Sequence, residues 1–112
     1  MPELKKYKMF IDGEWVDSES KKTFETLNPE NNEPWAVAPE ASAKDVDKAV
    51  KAAQKAFEGE WPKLLPRDRA KFLRAIADQL RKNAEMLGKI ETIDTGKLFR
   101  ETKQQAVYIA EY

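Results

Sequence analysis

Residues 91–97, E-T-I-D-T-G-K, bring carboxylates, two hydroxyls, a glycine and a lysine within seven positions. Such a set could cradle a phosphate, help to hold a metal ion, or close a helix. A phosphate loop of the Walker type needs G-x-x-x-x-G-K-[ST] directly after a strand, so that successive backbone amides surround the phosphates. Here the first glycine is missing, Leu98 stands where the hydroxyl residue is required, and a helical pattern precedes the segment. The phosphate reading fails on all three counts. A helix C-terminus explains more of it: Gly96 adopts the left-handed conformation that ends the last turn, and Lys97 lies near the negative end of the helix. Asp94 is left over, because a carboxylate at that end is electrostatically unfavourable. It needs a partner: a cation, a lysine or arginine, or backbone amides of the next segment.

The rest of the chain offers little catalytic chemistry. It holds no cysteine and no histidine, which excludes disulfides, thiol nucleophiles, imidazole bases and Cys/His zinc sites within these residues. Glu25, Glu40, Asp45 and Asp47 are scattered among lysines and read as a solvated surface, with nothing to favour a glycosidase-type pair. Trp15, Trp35 and Trp61 could stack on sugars or bases, but such residues more often anchor packing edges. The glycines, at 13, 59, 88 and 96, lie too far apart for a dinucleotide fingerprint. Twenty basic and 20 acidic residues balance to a formal charge of zero and are interspersed, which argues against a nucleic-acid surface. No apolar run is long enough to span a membrane. The opening M-P-E-L-K-K-Y-K-M-F lacks the apolar stretch and cleavage site of a secretory leader, so a cytoplasmic location is expected.

The elements that must position these residues follow from periodicity. Tyr7, Met9 and Ile11 alternate before Asp12-Gly13, and Trp15 follows, which predicts a β-hairpin over 7–17 with a type I′ turn. T-F-E-T-L, residues 23–27, predicts a third strand, stopped at Asn28-Pro29. A turn at 30–34 and a short fourth strand in W-A-V-A come next. From Ser42 the period becomes 3.6: Val46, Ala49, Val50, Ala53 and Phe57 share a face, with Ser42 as N-cap, Asp45 at the reciprocal capping-box position, and Gly59 as the stop. Pro66 opens a second helix whose buried stripe is Phe72, Leu73, Ile76, Leu80 and Leu87. Asn83 is expected to divide it. A further helical pattern after Gly96 carries Val107, Ile109 and Ala110 and runs into Tyr112 without a stop signal. The fold class expected is therefore α+β: an N-terminal hairpin and short strands over about 7–38, then three to four helices over about 43–112.

Taken together, five stretches resemble one family. F-I-D-G-E-W-V, T-L-N-P, P-E-A-S-A-K-D-V-D-K-A-V-K-A-A-Q-K-A-F, W-P-K-L-L-P-R-D-R-A-K-F-L and E-T-I-D-T-G-K are similar, in order and spacing, to the N-terminal region of the NAD(P)-dependent aldehyde dehydrogenases. The resemblance runs through nearly the whole chain. It implies the N-terminal part of a cofactor-binding domain, residues 1–112, within an α/β Rossmann-like enzyme whose catalytic domain is absent here. The implied parent reaction turns an aldehyde, water and NAD or NADP into a carboxylic acid and reduced cofactor, through a cysteine thiohemiacetal. The implied parent is a homo-oligomer, dimer or tetramer, that binds neither nucleic acid nor membrane. No catalytic or cofactor-contacting residue maps onto this chain, so alone it is expected to be inactive. Pro66, Arg69 and Leu73 match the family's P-x-x-R-x-x-x-L pattern, with Arg69 as a structural ion-pair partner. The resemblance also implies a monovalent cation near Asp94, with backbone carbonyls of Thr26 and Leu27 in its shell. Leu98 after G-K, Trp35 before P-E-A-S and Leu65 before Pro66 depart from the family's usual residues and leave the aldehyde undefined. A short stand-alone binding or assembly module is the alternative.

Overall fold

The computed structural model describes residues 4–112; the first three residues of the segment read for a leader lie outside them. Among the described residues there are five strands and three α-helices. They fall into two compact units. One takes the chain up to Leu27 together with Pro34–Lys63, and the other takes Asn28–Glu33 together with Leu64–Tyr112.

In the first unit the hairpin forms where the turn chemistry requires it. Strands β2 (Met9–Ile11) and β3 (Glu14–Val16) pair antiparallel, with Phe10 opposite Trp15. Asp12 and Gly13 have φ of 52° and 81°, the two positive values that a type I′ turn needs. The Phe10 and Trp15 rings meet at 4.9 Å. Tyr7 is not part of this hairpin. Strand β1 (Lys5–Lys6) instead runs parallel to β5 (Glu33–Pro39), and the Tyr7 amide extends that pairing by donating to the Val37 carbonyl at 2.9 Å. Two lysines in succession carry no apolar alternation, so β1 has no signature of its own and is held by its neighbour. Tyr7 packs edge-on to Trp35 at 6.2 Å. Strand β4 (Thr23–Asn28) lies on the other side of β5, giving the order β1-β5-β4. The four residues joining β4 to β5 are too few for a crossover, so the two strands are antiparallel. Ala36, on the central strand, is fully buried.

Helix α1 (Ala43–Glu58) starts at Ser42 with a complete capping box and stops at Gly59. A single 3₁₀ turn, Trp61–Lys63, follows.

The second unit is a helical hairpin. Helix α2 (Pro66–Thr95) runs for 30 residues without interruption. The division expected at Asn83 does not occur: its side-chain amide donates back to the Gln79 carbonyl at 2.8 Å, which lets a poor helix former stay inside the helix. Helix α3 (Phe99–Ile109) packs on α2. Their contact is made of small residues. Ala84 and Gly88 on α2 and Thr102 and Ala110 on the α3 side are all buried. A Cβ on Gly88 would stand 2.8 Å from the Lys103 amide nitrogen and 2.9 Å from its Cα, so only glycine allows this approach. Thr102 is fully buried, and its hydroxyl lies 2.9 Å from the Gly88 carbonyl and 3.0 Å from the Thr92 hydroxyl. Arg81 donates to the Ala110 carbonyl at 2.9 Å, satisfying one of the orphan acceptors at the helix end. Glu85 pairs with Lys89 at 2.9 Å on its own helix and Lys103 at 3.6 Å across the crossing. Arg69 does not serve as an ion-pair partner among the described residues. Its guanidinium donates to the Leu64 carbonyl at 2.7 Å and so ties down the entry to α2.

The expected apolar stripes are present but not buried. Val46, Val50 and Phe57 on α1 are more than half exposed, as are Phe72, Leu73 and Ile76 on α2. The buried apolar side chains are alanines, at 36, 84 and 110. Close packing of small groups brings backbones together but removes little apolar area from water.

Two outcomes follow. The 112-residue chain by itself should bind ANS strongly and unfold over a broad range, as expected for wide apolar exposure; a sharp cooperative melt without dye binding would contradict this. In the natural gene product, Gly88→Ala should lower the thermal midpoint. Its gain in helix propensity, about 1 kcal/mol, is outweighed by an overpacking cost of about 1–3 kcal/mol against a backbone that cannot step aside. An unchanged or raised midpoint would mean that α2 and α3 do not meet at this residue.

Candidate functional site

The E-T-I-D-T-G-K segment, residues 91–97, closes α2. Gly96 has φ 75° and ψ 7°, and its amide donates to the Thr92 carbonyl at 2.9 Å. Thr95 donates its hydroxyl to the Glu91 carbonyl, and Lys97 pairs with the Glu91 carboxylate at 2.6 Å. A Cβ at Gly96 would come within 3.1 Å of the Pro29 ring. The T-G-K end of the helix therefore lies on the Asn28-Pro29 turn, inside the second unit. That turn is built locally. The Asn28 carbonyl accepts from the amides of Asn31 and Asn32, its side-chain oxygen accepts from the Glu30 amide at 3.0 Å, and Asn32 takes φ 58°. Two motifs far apart in sequence, N-P and T-G-K, thus meet through a proline ring and a residue with no side chain.

Asp94 sits exposed in the last turn of α2, in the second unit. Thr26, half-buried, and Leu27, exposed, lie in β4 and belong to the first unit. Among the described residues no group of three or more histidine, cysteine, aspartate or glutamate side chains is placed to hold a metal ion. A single carboxylate with backbone carbonyls is a hard-oxygen set, suited to hard cations and not to soft transition metals.

The best-organised polar cluster lies elsewhere. Asp45, read from the sequence as part of a solvated surface, is buried. Its Oδ2 accepts from the Ser18 hydroxyl, the Ser42 hydroxyl and the Ser42 amide, each at 2.8 Å, and its Oδ1 accepts from the Glu19 amide at 3.2 Å. The Ser42 hydroxyl also lies 3.3 Å from the Asp45 amide, which closes the capping box. The hydrogen bonds from Ser42, joined by those from Ser18 and the Glu19 amide, hold the Asp45 carboxyl well below the usual carboxylate range, against the opposing effect of burial. With every donor directed at an ionised acceptor and no proton left to share, the cluster is a structural hook and not an acid–base pair. Ser18 belongs to no sequence motif that points to this role.

Two surface grooves lie on the helices of the second unit. One runs along α2 past Phe72, Ile76, Leu80, Met86 and Leu87, and is apolar. The other lies on α3 beside Arg100, Glu101, Gln104 and Tyr108. Neither presents a nucleophile with a base beside it. Among the described residues no helix is long and apolar enough to cross a membrane.

Residues 15–112 match the model of the aldehyde dehydrogenase family. The chain belongs to that family. An aldehyde dehydrogenase of Aspergillus niger is 49% identical over 89 residues, which cover 80% of this chain and 18% of that protein. Among solved structures, the NAD-dependent aldehyde dehydrogenase of Sinorhizobium meliloti superposes with a TM-score of 0.92 at 34% identity, covering 96% of this chain and 22% of that one. Betaine aldehyde dehydrogenase of Staphylococcus aureus, solved in complex with NAD+, gives a TM-score of 0.85 at 38% identity, covering 93% and 22%. The chain spans about a fifth of the length of these relatives. Its strands and helices are thus an α+β piece of the aldehyde dehydrogenase fold.

The two polar features make separate expectations. Replacing Gly96 by alanine in the natural gene product meets both a left-handed backbone and the Pro29 ring, and should cost about 1–2 kcal/mol. A thermal midpoint equal to that of the parent would show that the cap is not needed. For Asp45, a folded pKa below the unfolded value of about 3.9 means that the stabilisation is complete above that value and is lost as pH falls through the folded one. The stability difference between the parent and Asp45→Asn should therefore be level between about pH 5 and 7 and shrink below about pH 4. A difference that fades already near neutrality would contradict the hydrogen-bonding pattern.

Proposed function

We propose that residues 1–112 supply the N-terminal part of the cofactor-binding domain of an enzyme that oxidises an aldehyde to a carboxylic acid with NAD or NADP. The observation that supports this most directly is the likeness, over nearly the whole chain, to a NAD-dependent aldehyde dehydrogenase. In that reaction a cysteine thiolate adds to the carbonyl carbon to give a thiohemiacetal, and water later releases the acid and frees the thiol. The nicotinamide, when bound, accepts the hydride lost from the aldehyde carbon. The 112 residues contain no cysteine, so the thiohemiacetal forms on a residue outside them, and these residues alone are inactive. Among the described residues no glycine-rich turn joins a strand to a helix, so their part is the frame of the domain and not the pyrophosphate contact. The same reading includes an aldehyde as substrate, a homo-oligomer of two or four subunits, and a cytoplasmic location.

The cation role of Asp94, with the carbonyls of Thr26 and Leu27, belongs to this proposal and rests on the family resemblance. The physical argument in its favour is the placement of a carboxylate in the last turn of a helix, where the macrodipole is negative and a nearby cation would offset the repulsion.

The experiment is the intact mass of the natural gene product, together with reduced-nicotinamide formation when the purified protein is given aldehydes and NAD or NADP. The expected outcome is a species several times heavier than 12.9 kDa that reduces one of the two cofactors. A 12.9 kDa species without activity would overturn the proposal and leave the stand-alone binding module. In the active protein, potassium or sodium should raise the thermal midpoint of the parent and not that of Asp94→Asn. An equal response in both would remove the cation role while leaving the dehydrogenase reading intact.

A further inference from the structure

We draw no further inference here: the strongest candidate, the open apolar groove along α2 lined by Ile76, Leu80, Met86 and Leu87, carries nothing because the structure does not show what covers it.

Discussion

Helix α2 can approach the α3 backbone only where it carries no side chain. Gly88 supplies that place, and much of the second unit depends on it. With the helices this close, the Thr102 hydroxyl reaches the Gly88 carbonyl and the Thr92 hydroxyl. Arg81 can then close the Ala110 carbonyl, and Lys103 can reach Glu85. The apolar contribution at this crossing is small, because alanine and glycine remove little area from water. What the crossing contributes is geometry: it fixes the separation and register of two helices whose larger side chains, Phe72 and Ile109 among them, remain exposed.

The first unit follows a different logic. Its strands are short, and its buried apolar residue is Ala36. The hook at Asp45 takes over part of the organising role that a core would otherwise have. An ionised carboxylate in a buried position is costly unless it is fully hydrogen-bonded. Here both Ser42 groups, the Ser18 hydroxyl and the Glu19 amide meet that demand. Removing one donor would leave the charge under-solvated, so the cluster acts as a unit. Lys44 and Lys48 reach Glu19 at 3.4 and 3.7 Å at the rim, but such exposed pairs contribute little.

Much of this was legible in the sequence wherever the cause was local. Asp12-Gly13 forces the hairpin turn through its backbone conformation alone. Ser42 and Asp45 cap α1 through groups three residues apart. Gly96 ends α2 because only a residue without Cβ adopts its φ without cost. The misses all involve partners distant in sequence. Ser18 reaches Asp45 across 27 positions, and no motif announces it. Gly88 is set apart only by the α3 backbone at Lys103, 15 positions further along the chain. Lys5–Lys6 becomes a strand only because β5 offers an edge. Asn83 is the opposite case: its local preference for a break is real, but the back-bond to Gln79 and the buried Ala84 and Gly88 that follow it outweigh that preference. The family membership was legible because five motifs kept their order and spacing.

The hook between Ser18 and Asp45 has a topological side. It joins two points of the chain with β4, its turn and β5 strung between them, so that this stretch forms a closed loop. In a polymer, tying the ends of a segment together removes conformations from whatever lies between, and the entropic cost grows only slowly with the length enclosed. Once the ring is shut, β4 and β5 choose their pairing from a much smaller set of arrangements than an open chain would allow. A single buried carboxylate can in this way narrow the search of a sheet it does not touch.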